Sequence, residues 1–75
     1  MVFEKLRDII CRELAVAPES VTMDSDLRKD FDADSLDLVD IVMDIEDRFN
    51  VEIPEDSMET MTTVKDVVEY IQANI

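Results

Sequence analysis

The chain has 75 residues, with 20 acids, seven bases and no histidine, for a formal net charge of −13. That balance disfavours nucleic acid as a partner and makes basic protein surfaces the natural ones, while its self-repulsion offsets part of a small core. The apolar content of 47% is that of a folded protein and excludes an acidic disordered tail; residues 1–75 are expected to form one domain near the lower size limit for folding alone.

In chain order, Val2 to Leu14 reads as a first helix. Phe3, Leu6, Ile10 and Leu14 recur at helical spacing and make one apolar face, with Val2 and Ile9 at its flank. Lys5, Arg7 and Arg12 place three of the seven bases on this helix. Ala15 to Ala33 is long for a loop in so small a domain. Pro18-Glu19-Ser20 suggests a turn or one helical turn within it, and Val21, Met23, Leu27 and Phe31 are expected to tack it onto the helices. A long ordered loop suits a site presented to other proteins.

Asp34 to Phe49 is the informative helix. Asp34 is the expected N-cap, its carboxylate accepting from free N–H groups of the first turn. Ser35 then falls at the first helical position and Asp37 at the third, where the helix dipole favours an acid. A phosphate ester on the Ser35 hydroxyl is well placed there. At about 100° per residue, Leu38, Ile41, Val42, Ile45 and Phe49 face the core. Asp37, Asp40, Asp44 and Asp47 form an acidic stripe, with Glu46 separating the core sector from a second apolar strip of Leu36, Val39 and Met43. A helix needs only one buried face, so the strip beside Ser35 points to docking; the plainer alternative packs it under the long loop.

Asn50 to Pro54 ends that helix as an extended loop, since Pro54 forbids a helix running straight through. Glu55 to Met61 reads as a short third helix with Met58 and Met61 inward, as core or as a flexible lining for a variable guest. Thr63 caps the last helix with Asp66 three residues on, a weaker capping box. Val64, Val67, Val68, Ile71 and Ile75 make its apolar face, and Tyr70 is expected half-buried with its hydroxyl in water. The expectation is all-α: a small four-helix bundle of three longer helices and one short helix, with a long loop between the first two.

Several chemistries can be weighed. Cys11 is the only cysteine, so no disulfide framework or cysteine zinc site is expected, and it reads as a partly buried structural thiol. Ser35 has no histidine to serve as a base, which makes it a substrate of modification and the chain no enzyme. Asp30-x-Asp32-x-Asp34 matches the first three ligands of an EF-hand loop. Its sixth position is Ser35 instead of glycine, however, and its twelfth is Ile41 instead of glutamate. No specific metal site is expected, only weak divalent binding by crowded carboxylates. An acidic mimic of nucleic acid explains the charge but neither the capped serine nor the second strip. No segment approaches the roughly 20 apolar residues of a membrane span, so no membrane insertion is expected. The N-terminus lacks the basic and apolar regions of a secretory signal, and a cytoplasmic location is expected.

The motif Asp34-Ser35-Leu36-Asp37-Leu38-Val39, with acids continuing down the helix, resembles the attachment site of acyl carrier proteins. Length, acidity, the loop before the serine, Phe49 through Pro54 and the closing Val64–Ile71 helix extend the resemblance over nearly the whole chain. It implies that Ser35 takes a 4′-phosphopantetheine arm from coenzyme A, with Asp34 as the cap beside it, and that acyl chains travel as thioesters on the arm. Partners implied are a phosphopantetheinyl transferase and the discrete acyltransferases, ketosynthases, reductases and dehydratases of fatty acid biosynthesis, met by a monomer. Their basic patches would dock on Leu36, Asp37, Val39, Asp40, Met43, Asp44, Glu46 and Asp47. A carrier for polyketides or another activated acid is the alternative within the family, and a small acidic regulatory or calcium-binding module the alternative outside it. The family usually has glycine two residues before Asp34; here that position is Asp32, and the chain has no glycine at all.

Overall fold

The computed structural model describes all residues, 1–75. Four α-helices follow one another: α1 (Val2–Leu14), α2 (Ser35–Phe49), α3 (Glu55–Thr60) and α4 (Val64–Asn74). α1 packs against both α2 and α4, and this explains one departure from the helical-wheel reading. Two covering helices require a wide apolar face, so Ile9 is as fully buried as Leu6 and Ile10 and is no flank residue, while Phe3 and Leu14 are only half-buried. Ile41 and Ile45 of α2 and Val64, Val67, Val68 and Ile71 of α4 complete the centre of the core. Val42 and Phe49 are half-buried against it, and Ile75 lies outside it, exposed.

The long connection between α1 and α2 is ordered by its own hydrogen bonds. It opens with a 3₁₀ turn at Pro18–Ser20. Val21, Leu27 and Ala33 are buried and Phe31 half-buried, whereas Met23 stays exposed. The Asp26 carboxylate accepts from the N–H groups of Arg28 and Lys29, both at 2.9 Å. Those donors, Lys29 first, hold its pKa below the ordinary carboxylate value. Ser25, buried and unforeseen, accepts the Thr22 N–H at 2.9 Å and donates to the Ser20 carbonyl.

This loop is then strapped to the start of α4. Leu27 N–H donates to the Thr62 carbonyl (3.1 Å), Val64 N–H to Ser25 (2.9 Å) and Lys65 N–H to Met23 (2.9 Å). The α4 cap forms as read from sequence: Thr63 Oγ1 accepts the Asp66 N–H, and Asp66 Oδ2 accepts the Thr63 N–H, each at 3.2 Å. α3 ends at Thr60, one residue earlier than expected, because Met61 turns extended and its N–H closes on the Met58 carbonyl. The Tyr70 hydroxyl is not left to water; it donates to the Glu52 carbonyl at 2.9 Å and ties the α2–α3 connection to α4.

Candidate functional site

The site is built at the turn into α2. Asp32 has a positive φ of 56° two residues before the Asp34 cap, and Ser35 stands exposed at the start of α2. Asp34, in extended conformation, caps the helix: its Oδ1 accepts the Asp37 N–H at 2.8 Å, and Asp37 Oδ2 accepts the Asp34 N–H at 3.2 Å. Leu38 N–H is already bonded to the Asp34 carbonyl. The first-turn N–H groups left without an intrahelical partner are therefore those of Ser35 and Leu36. Ser35 is exposed, and its hydroxyl stands outside the reciprocal capping box. A free hydroxyl beside unpaired N–H groups at the positive end of a 15-residue helix fits a phosphate ester.

Along α2 the side chains divide by what they touch. Leu36, Val39 and Met43 are 75%, 43% and 60% exposed; the strip faces solvent and is not packed under the loop. The acids are not equivalent. Asp37 is held in the capping box, Asp44 lies 3.8 Å from the Arg12 guanidinium, and Glu46 accepts the Ile53 N–H at 2.9 Å. Asp40 and Asp47 are exposed and make no such bond. Glu13 of α1 faces Asp44, and partial burial followed by the Asp44 charge raises its pKa above the ordinary value. Asp30 and Asp34, two ligands of the abortive EF-hand pattern, turn their carboxylates to separate backbone groups, the N–H of Asp26 and that of Asp37.

Behind this face lies an apolar cavity of about 20 Å³, lined by Leu38, Ile41, Val42 and Ile45 of α2, Ile53, Met58 and Met61 of the α3 side, Leu27 and Val67. Met58 and Met61 are thus inward, at the rim of a space and not in solid core. No helix is long and apolar enough to cross a membrane.

Residues 4–71 match the family model described as a phosphopantetheine attachment site. The chain is 46% identical to the acyl carrier protein of Campylobacter hominis over 95% of its own length and 90% of that protein's. It is 42% identical to the one from Wolinella succinogenes over 97% and 96%. The solved acyl carrier protein of Enterococcus faecalis superposes with a TM-score of 0.85 at 31% identity, covering 99% of this chain and 94% of that one.

The chain belongs to the acyl carrier protein family. Its role is that of an acyl carrier, and 4′-phosphopantetheine is its prosthetic group. Within this family the missing glycine finds its explanation: Asp32 holds a left-handed turn without it, because a short polar side chain tolerates that conformation better than a bulky one. The double duty of Asp37 and the bond from Ile53 to Glu46 escaped the sequence reading. The first had a signal, an acid at the third helical position; the second joins residues that no periodicity relates.

Proposed function

We propose that Ser35 is the residue that receives the arm, and that residues 1–75 act as one carrier domain serving the discrete enzymes of fatty acid biosynthesis in the cytoplasm. The observation that carries this reading is the exposed hydroxyl at the first position of a capped helix, beside the unpaired N–H groups of Ser35 and Leu36. A separate transferase would join Ser35 Oγ to the phosphorus of coenzyme A's pantetheine phosphate, displacing the nucleotide half. Asp34 positions the serine through the cap, and the N–H groups of Ser35 and Leu36 face the anionic ester. When bound, the arm supplies a thiol on which acyl groups ride as thioesters.

Docking rests on a gradient of availability along α2. Leu36, Val39 and Met43 offer apolar contact area, and Asp40 and Asp47 offer unengaged charge to basic enzyme patches. Asp37, Asp44 and Glu46 add to the field that steers encounter while holding bonds of their own. The apolar cavity, with its two methionines, is a lining that repacks around guests of different length.

Intact mass after incubation with coenzyme A, magnesium and a phosphopantetheinyl transferase tests the attachment site. One added arm on the wild type and none on Ser35→Ala is expected, with helical content unchanged because Ser35 is exposed. Loading of the Ser35→Ala variant would refute the assignment. For docking, Asp40→Lys should slow association with a ketosynthase or reductase of the pathway more at low salt than at high salt; equal rates at low salt would remove Asp40 from the interface.

A further inference from the structure

Glu46 sits in the acidic run of α2, yet its carboxylate holds together two parts of the fold. Its Oε2 accepts the N–H of Ile53 at 2.9 Å. Ile53 lies in the extended segment that leads into α3, and together with Met58 and Met61 it forms one wall of the apolar cavity, opposite Leu38, Ile41, Val42 and Ile45. That wall is lightly built. α3 has six residues, none of them buried, and no side chain caps its N-terminus, so it has little stability of its own. Its far end is held where Thr62 and Thr63 meet Asp66 and the loop strap. Its near end is held by two side-chain bonds: Tyr70 to the Glu52 carbonyl, from α4, and Glu46 to the Ile53 N–H, from α2.

Only the second of these ties the wall to the opposite side of the cavity, and only it uses a charged group that a cation can take away. An open depression on the outer surface is bordered by Val39, Val42, Met43, Glu46, Ile53, Glu55 and Met58. A partner seated on Val39 and Met43 therefore reaches Glu46 directly. Opening is also required: the cavity of about 20 Å³ holds no more than a water-sized guest, whereas a benzene-sized one needs about 150 Å³.

We propose that Glu46 is the latch on this movable wall, and that a cationic side chain of a docked enzyme opens the cavity by drawing the Glu46 carboxylate away from Ile53. Glu46 acts through the backbone of Ile53 and is a positioning residue. The inference rests on the carrier reading for its cargo, but the latch itself is a property of the unmodified chain.

Two variants separate the bond from the charge. Glu46→Gln keeps an oxygen acceptor and loses the charge; Glu46→Ala loses both. Amide hydrogen exchange on the unmodified protein should show Ile53 exchanging about tenfold faster in Glu46→Ala, as one charge-assisted bond is lost. Glu46→Gln should remain close to wild type, as should Asp47→Asn, which alters a neighbouring charge that makes no such bond. A short oligo-arginine peptide should speed Ile53 exchange in the wild type and not in Glu46→Gln. On chains loaded with an octanoyl arm, hydroxylamine should cleave the thioester faster in Glu46→Ala than in wild type. Unchanged Ile53 exchange in Glu46→Ala, equal acceleration of Glu46→Gln by the peptide, or equal thioester cleavage would each overturn the latch. Failure to load at all counts against Ser35 as the attachment site and leaves the exchange result to decide the latch.

Discussion

α1 ends on Ala15 at φ 56°, ψ 43°, a left-handed conformation in which the Cβ crowds the following carbonyl oxygen, at about 1–2 kcal/mol for an L-residue. Ala15→Gly removes that crowding. It also raises the entropy of the unfolded chain, which offsets about 0.4–1 kcal/mol. Ala15 is exposed, so no packing is lost with the methyl group. The balance is a stabilisation of about 0.5–1 kcal/mol, or a rise in Tm of about 2–8 °C for a domain of this size. Thermal and urea unfolding followed by circular dichroism would measure it. Asn50→Gly, at φ 55° after α2, provides an internal comparison. Asparagine already tolerates the left-handed region, so its gain should be smaller. A fall in Tm for Ala15→Gly, or an equal gain at both positions, would refute the argument from Cβ strain.

Three further outcomes follow from the geometry. Asp32→Gly relieves the third left-handed residue and one charge of the Asp30, Asp32, Asp34 group, so it should stabilise, more at low than at high ionic strength; a destabilised variant in urea unfolding would contradict this. Ile71→Ala empties the centre of the core, where Ile71 has no exposure. Such truncations remove about 2–5 kcal/mol from a net stability of about 3–5 kcal/mol for so small a domain, and the cooperative urea transition should be lost; a sharp transition at a little-changed midpoint would count against the packing described. The raised pKa of Glu13 means the folded state holds that proton more tightly than the unfolded chain, so its contribution to stability grows as pH falls toward the ordinary carboxylate range and declines as pH rises. Asp26 and Asp66 are lowered by backbone N–H groups and act oppositely, their stabilisation being lost as pH falls below about 4. Glu13→Gln should therefore flatten the decline in stability as pH rises above the ordinary carboxylate range; an unchanged slope in pH-dependent melts would contradict it.

What could be read in the sequence was what local physics determines. The Asp34 cap, the exposed first-turn position of Ser35, the Thr63–Asp66 box and the exposed Leu36–Val39–Met43 strip all depend on residues within one or two helical turns. What escaped depends on partners distant in sequence. Ile9 is central because α1 is covered by two helices, which a single wheel cannot show. The Tyr70 hydroxyl has a carbonyl partner because the α2–α3 connection folds back over α4. Glu46 was legible as an acid on a docking face, but its bond to Ile53 exists only once α2 has ended at Asn50 and the chain has reversed. Ser25 is buried only because the loop is strapped to α4.

That strap bears on the order in which the molecule is made. Synthesis runs from the N-terminus, and domains form as their parts emerge. α1 and α2 can coil from local contacts, but residues 23–27 lack their hydrogen-bonding partners until Thr62 to Lys65 have left the ribosome. The turn that presents Ser35 is therefore finished only when α4 begins. A transferase that recognises the completed turn would pass over chains that stop short of these residues, and an arm on Ser35 would mark a carrier whose synthesis had passed Lys65.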